Sequence, residues 1–579
     1  MAESARAEII ARLTAPGGGF DLEERVIRGI PWRVFSTLPS TLREIVERSR
    51  DFGDREFLVY DDDRWTFARH FAVVAGLAHR LRDHYGLAKG DRVAIAMRNY
   101  PEWVPIFWAT QAAGLIAVPL NAWWSGPELE YALKDSGARL LFADAERLAA
   151  IRDHLGGLDL VSVVEVRGDT AAGDGVEPWA DVLAAVDAAP AETRGALPDV
   201  PVEPEDDATI LYTSGTTGQP KGAIGSNRNH CTNTWNTVMS GVVGAMIANG
   251  GEPPPPPGPD APPPGSLQTF PFFHIAGITG ICGATAAGSK LVCMYRWDPK
   301  LGAELIARER LTGASGVPMV MRSLVEAMAE APAGGGTLGS IALGGAPIPP
   351  DLILKIDKQF RSQVGSGDGY GLTETTSAVV VNAGEDYVTH PDSVGRCTPN
   401  SDIRVVDPGS GEDVADGEIG ELWFRGPLVV RGYWNKPEAS ARAFTDGWFH
   451  TGDLGYVRDG WVYVVDRIKD VVIRAGENVY CAEVEAALFE HPAVADVAVI
   501  GLPHPKLGEE VVAVVNVRPG HEVSASELRD HTAARIARFK APTRVWFRDD
   551  PLPRTGTGKV LKRDLRQAAQ AERIEAADG

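Results

Sequence analysis

The chain has 579 residues, 44% of them hydrophobic and 23% charged, with a formal net charge of −21 at pH 7. That length exceeds what one core supports, so two or more domains are expected, and the ordinary apolar fraction excludes global disorder. The acidic balance repels nucleic acid, so DNA and RNA are not expected partners, and any anionic ligand must be gathered by a local site.

In chain order, the first stretch, MAESARAEIIARLT, lacks a continuous apolar core and does not read as a secretory signal. Phe67, Phe71, Val74 and Leu81 recur at helical spacing between Thr66 and Tyr85, and a strand follows at Arg92–Met97. Trp103 to Pro127 carries no charge, long enough in principle to span a bilayer. Prolines and polar residues interrupt it, so it reads as a buried helix, Val104–Gly114, and a strand, Leu115–Leu120, with no transmembrane segment. With a further strand at Arg139–Phe142, the alternation predicts an α/β fold whose largely parallel sheet is covered on both faces. Cys231, Cys282, Cys293, Cys397 and Cys481 are scattered without C-x-x-C spacing, which argues against a disulfide framework or zinc site and fits a reducing cytoplasm.

A short buried strand, Ala208–Tyr212, leads into Thr213–Gly222, TSGTTGQPKG. Gly215 and Gly218 let successive N–H groups turn toward one point, Thr213, Ser214, Thr216 and Thr217 add hydroxyls, and Lys221 adds a charge, which together suit phosphate. The nucleotide-triphosphatase loop needs a lysine between a glycine and a Ser or Thr; Lys221 lies between Pro220 and Gly222, and Lys559 is followed by Val560, so both fail that template. Prolines at 253–257, 259 and 262–264 make Gly250–Gly265 an extended surface insertion.

Further on, His274 closes the aromatic run Phe270–Phe273. A strand, Ser340–Leu343, meets the turn Gly344-Gly345-Ala346-Pro347 and then a helix, Pro350–Phe360. In Gly369-Tyr370-Gly371-Leu372-Thr373-Glu374-Thr375, a ring, glycines, a hydroxyl and a carboxylate suit a nucleotide with its metal, since magnesium is hard and takes oxygen ligands. Residues 393–465 alternate in β fashion, with a hairpin turning at Asp459-Gly460, and contain Gly432-Tyr433-Trp434 and Thr451-Gly452-Asp453. Asp466-Arg467-Ile468-Lys469-Asp470 and Val472–Asn478 precede a compact α+β region, and Pro551–Lys559 ends in a glycine-rich loop.

These motifs, in this order, resemble the adenylate-forming superfamily, which includes acyl-CoA synthetases, peptide-synthetase adenylation domains and luciferases; the likeness runs from about Leu42 to Leu565. It implies an AMP-binding and acyl-binding domain over 1–466, its β-rich part at about 393–465, and a mobile α+β lid over 467–579. It also implies ATP, Mg²⁺ and coenzyme A as ligands, with Glu374 as the magnesium carboxylate and Thr373 as a phosphate contact. Adenine would lie at Gly344–Pro347 and Gly369–Gly371, ribose on Asp453 and Arg467, and His274 would gate the acyl pocket. Lys469 would be the pivot, Lys559 the adenylation lysine, and Arg474–Gly476 the loop presented for thioester formation.

The expected activity is therefore an acyl-CoA synthetase acting on a fatty or aryl acid. Glu477-Asn478-Val479-Tyr480 resembles CoA ligases and no carrier domain follows Lys559, which disfavours loading of a carrier protein; a silent nucleotide-binding regulator would lack Lys559 or Glu374. A luciferase-like oxygenase would share every motif, and a homodimer is left open. Two departures from the family are Ser226-Asn227 where Thr-His is frequent, expected to alter the acyl pocket's surroundings, and Cys481 where proline is usual, expected to change a turn.

Overall fold

Thr66 accepts a hydrogen bond from the Arg69 N–H and so starts the helix Phe67–Asp83, whose buried face includes Phe67, Phe71, Val74 and Leu81. The computed structural model describes residues 2–169, 175–213, 219–256, 263–330, 336–346, 348, 350–360, 363–555 and 558–571. Among these, one seven-stranded sheet runs in the order 221–226, 207–213, 116–119, 92–96, 140–144, 162–166, 176–178. Its neighbours are parallel except the first pair. A nine-stranded sheet runs 396–397, 377–383, 365–372, 340–344, 313–316, 265–268, 290–293, 56–60, 63–66, parallel in the middle and antiparallel at both ends.

The uncharged stretch becomes the helix Trp103–Ala112, buried all round, and the strand Ile116–Pro119. No helix among the described residues is long and apolar enough to cross a membrane. All five cysteines are free thiols, and four are buried. Of the proline-rich insertion, 257–262 lie outside the described residues, and Pro253 to Pro256 are exposed without regular structure.

The helix Ile275–Ala287 is rich in small residues, but they do not all leave space for an acyl group. A Cβ at Gly277 would lie 2.1 Å from the Pro271 carbonyl oxygen, and one at Gly280 would lie 1.8 Å from Gln268 Nε2. The chain itself fills those places. Gly283 faces open space. Gly283→Ala is therefore expected to stabilise the protein by about 0.5–1 kcal/mol through helix propensity, and Gly277→Ala to destabilise it, as read from denaturant midpoints.

Contacts group Met1–Ile403 with Phe424–Phe449 as one unit and Arg404–Trp423 with His450–Gly579 as another. In the second, the strands containing Tyr456 and Tyr463 turn at Asp459 and Gly460, both at positive φ (52° and 79°), and the two rings stack at 4.6 Å. A further sheet orders 477–479, 472–474, 508–517 and 494–504, with 544–547 pairing parallel to 508–517.

Candidate active site

In the first unit, the stems of the candidate phosphate loop are the antiparallel strands Asp207–Thr213 and Lys221–Ser226, with Thr213 opposite Lys221 and its hydroxyl donating to the Lys221 carbonyl at 3.4 Å. Ser214, Gly215, Thr216, Thr217 and Gly218 lie outside the described residues, as does Pro347. One helix, Gly126–Ser136, clamps both stems: the Tyr212 hydroxyl donates to Asp135 Oδ2 at 2.8 Å, and that of Tyr131 to the Pro220 carbonyl at 3.1 Å. Asp135 also pairs with Lys436 at 3.1 Å, and its carbonyl accepts from the Trp434 indole at 3.1 Å. The same helix end therefore fixes the 434–436 segment.

The parallel strands Ser340–Gly344 and Gly365–Leu372 set Gly344 opposite Gly369. Gly345 and Ala346 thus emerge beside Tyr370 to Thr373 at the carboxyl edge of the sheet, where open α/β sheets bind ligands. Gly345 has φ 77°, and a Cβ on Gly344 would stand 3.3 Å from the Gly369 carbonyl oxygen. The Tyr370 ring lies 5.9 Å from that of Phe424. Gly369–Leu372 is strand despite its glycines, because Gly371 is pressed against the backbone of Ser377 on the next strand.

The strand ends in a one-turn helix, Thr373–Thr375, that buries Glu374. The Glu374 carbonyl accepts from the Val430 N–H at 2.9 Å, and its Oε1 accepts from the Tyr433 hydroxyl at 2.8 Å. Lys221 Nζ stands 4.9 Å from the centre of the Tyr433 ring. Burial, with Glu374 adjacent, pushes the Tyr433 pKa far up, so it donates at any working pH. Asp368, two residues before Tyr370, is also buried, and desolvation lifts its carboxyl to about 7.

His274 caps the helix Ile275–Ala287: its Nδ1 accepts from the Ala276 N–H at 3.2 Å, and burial lowers the ring to about 4. It is a neutral imidazole with its proton on Nε2. Ser226 caps the helix Asn227–Ala248, and Asn227 Oδ1 accepts from the Leu42 N–H at 2.9 Å, so the pair replacing Thr-His has structural work to do.

In the second unit, Asp453 and Arg467 face each other across a strand pair, Nε to Oδ1 3.1 Å. Lys469 follows in the turn Ile468–Asp470, where burial and then Arg467 lower its pKa. Lys559 ends a tight loop in which the Thr555 N–H donates to the Lys559 carbonyl at 2.8 Å and the Lys559 N–H to Thr555 Oγ1 at 3.1 Å. Burial, then the charge of Arg467, push the Lys559 ammonium down to about 7, with Asp453 opposing. Asp453, Arg467, Lys469 and Lys559 thus share one electrostatic neighbourhood.

The helix Lys562–Ala571 ties this neighbourhood down, through Lys562 with Glu485 at 2.7 Å and Arg566 with Asp470 at 2.9 Å. Cys481 starts a helix, where proline is tolerated, and its thiol donates to the Asp470 carbonyl at 3.0 Å. Arg474 and Gly476 lie on a different element, the hairpin Val472–Arg474 with Glu477–Val479, which turns through Ala475 and Gly476 at φ 53° and 87°.

The first unit thus carries the strands Asp207–Thr213 and Lys221–Ser226 and the buried Glu374, and the second carries Lys559 and the Asp453–Arg467 pair. Residues 45–434 match the AMP-binding enzymes, and residues 483–559 match the AMP-binding enzyme C-terminal domain. The chain belongs to the AMP-binding enzyme family. It is 36% identical to a feruloyl-CoA synthase of an Amycolatopsis species over 87% of this chain and 93% of that one. It is 32% identical to the long-chain-fatty-acid–CoA ligase FadD13 of Mycobacterium tuberculosis over 86% and 93%. A solved structure of o-succinylbenzoate CoA synthetase from Bacillus subtilis, in complex with its acyl-adenylate intermediate OSB-AMP, is 29% identical with a TM-score of 0.73, over 90% of this chain and 97% of that one. The enzyme is an acid–CoA ligase: it activates a carboxylic acid with ATP through an acyl-adenylate and transfers the acyl group to coenzyme A.

Sequence reasoning quoted Tyr433 without giving it a role, and it passed over Asp135, Tyr131 and Asp368. Asp368 had a signal, since it shares a strand face with Tyr370 at a spacing of two. Asp135 had none, because it lies 77 residues before Tyr212.

Proposed function

We propose that the enzyme takes fatty or aryl acids and that its two half-reactions draw on different residues. ATP phosphates would be held by the loop from Thr213 to Lys221, with Thr373 as a further hydroxyl donor. Adenine would lie along Gly344, Gly345, Ala346 and Pro347 and against Gly369, Tyr370 and Gly371, and the ribose hydroxyls on Asp453 with Arg467. Glu374 would hold magnesium: a hard carboxylate oxygen, buried and linked through one tyrosine to the phosphate-loop lysine, suits that ion, which supplies neutralisation of phosphate charge.

In the first half-reaction a carboxylate oxygen of the acid attacks the α-phosphorus, the bond to the bridging oxygen breaks, and pyrophosphate leaves with that electron pair. Lys559 would meet the charge that grows on those oxygens. In the second, the thiol of coenzyme A attacks the acyl carbon, loses its proton, and AMP departs with the oxygen it gained. For this step the segment after Arg467 would turn about Lys469, withdrawing Lys559 and presenting Arg474 to Gly476. His274, neutral and spent as a helix cap, would bound the acyl pocket rather than move a proton. We place the reaction in the reducing cytoplasm, which five free thiols favour.

The observation that carries this reading is the link from the Glu374 carboxylate through Tyr433 to Lys221. It is tested by AMP release from ATP and Mg²⁺ over ferulate, long-chain fatty acids and 2-succinylbenzoate, with and without coenzyme A. Acid-dependent AMP release that coenzyme A accelerates, with an acyl-CoA formed and no turnover without Mg²⁺, is expected. Turnover indifferent to Mg²⁺, or acid-independent, would sink it.

A further inference from the structure

Tyr433 stands between two groups of opposite charge that belong to different elements. Its hydroxyl donates to Glu374 Oε1 at 2.8 Å, while its ring face carries the Lys221 ammonium at 4.9 Å. Its backbone is equally tied: it bridges to Ala223, its N–H donates to Ser440 Oγ at 2.9 Å, and the next N–H, that of Trp434, donates to the Gly222 carbonyl at 2.7 Å. Phe444 packs edge-on against the ring at 5.7 Å. The side chain is thus held between the strand Lys221–Ser226 on one side and the Phe444 segment on the other.

We propose that Tyr433 is a positioning residue for adenylation, which holds the Glu374 carboxylate oxygen in place through its hydroxyl and steers the Lys221 ammonium through its ring. A hydrogen bond to a carboxylate fixes where that carboxylate's charge lies, and a cation over an aromatic face keeps its donors free for an anion. The two functions are separable, because phenylalanine keeps the ring and loses the hydroxyl, whereas leucine loses both. The proposal rests on the reading of Glu374 as the magnesium carboxylate.

The test compares Tyr433→Phe, Tyr433→Leu and Glu374→Gln in the full chain. Mn²⁺ affinity in the presence of a non-hydrolysable ATP analogue is read by electron paramagnetic resonance, and affinity for the metal-free analogue by calorimetry. Tyr433→Phe is expected to weaken Mn²⁺ binding about tenfold, from loss of a hydrogen bond to a charged group, and to leave metal-free nucleotide affinity unchanged. Tyr433→Leu should weaken both, the second several-fold. Unchanged Mn²⁺ affinity in Tyr433→Phe, where Glu374→Gln lowers it, overturns the proposal and spares the reading of Glu374. Unchanged affinity in Glu374→Gln overturns both. Equal loss of metal-free nucleotide binding in the Phe and Leu variants removes the ring's part.

Discussion

Replacing Lys559 by alanine is expected to slow the ATP-consuming half-reaction by about 10²–10³-fold, the range seen when one preorganised charge-stabilising donor is removed. Thioester formation from a supplied acyl-adenylate should persist, because that step expels AMP without building new charge on a pyrophosphate leaving group. The two rates are measured separately, by ATP–pyrophosphate exchange and by acyl-CoA formation from synthetic adenylate. Equal loss in both would overturn the assignment of Lys559 to the first step alone. The acid–base behaviour gives a second readout. Burial and Arg467 push Lys559 down to about 7 in the free protein, so the charged form that the proposed role requires is present below that pH and is lost as pH rises through it. The kcat/KM for ATP should therefore fall on the alkaline side of about 7. At saturating ATP the bound phosphates favour the ammonium, so kcat should keep its value to higher pH. Lys559→Arg, which stays charged, should abolish the fall in kcat/KM even if its rate is lower.

Local chemistry made most of the fold legible. The helix Phe67–Asp83 shows its apolar period, and the Asp459-Gly460 hairpin carries its own turn residues. Candidate site residues could be named where one segment holds its own logic, as in Thr213–Lys221 or the run Gly369–Thr375. The site was not legible where distant segments meet. Nothing in Gly432-Tyr433-Trp434 says that the tyrosine will face Glu374, 59 residues earlier, and nothing in the helix Gly126–Ser136 says that Asp135 will join Tyr212 to Lys436. His274 shows the converse: its place after the aromatic run made it a candidate, but only its Nδ1 bond to the Ala276 N–H shows that one ring nitrogen is already committed to a cap. Nor does the composition of the helix Ile275–Ala287 show that Pro271 and Gln268 fill the places beside Gly277 and Gly280.

The Gly371→Ala variant is expected to lose both stability and adenylation, for a reason distinct from ligand approach. A Cβ at this position would stand 1.8 Å from the Ser377 carbonyl oxygen, 2.6 Å from its carbon and 2.9 Å from Ala378 Cα. All three are backbone atoms, so no rotamer change relieves the overlap; the antiparallel pair must part. That pair is already irregular, with its register shifting between Tyr370 and Gly371, and the turn after it runs through Thr376 and Ser377 at φ 48° and 82°. Strain is therefore present and has nowhere to relax. Overpacking of this kind costs about 3 kcal/mol, and parting the strands would shift the turn Thr373–Thr375 that carries Glu374. Nucleotide affinity should fall together with the unfolding midpoint. Gly344→Ala is the fitting control: it lies opposite Gly369 on the neighbouring strand, where the added carbon would meet a single oxygen at 3.3 Å, so it should be tolerated far better. If Gly371→Ala instead folds with wild-type stability and loses only nucleotide affinity, the glycine serves the ligand and the backbone argument fails.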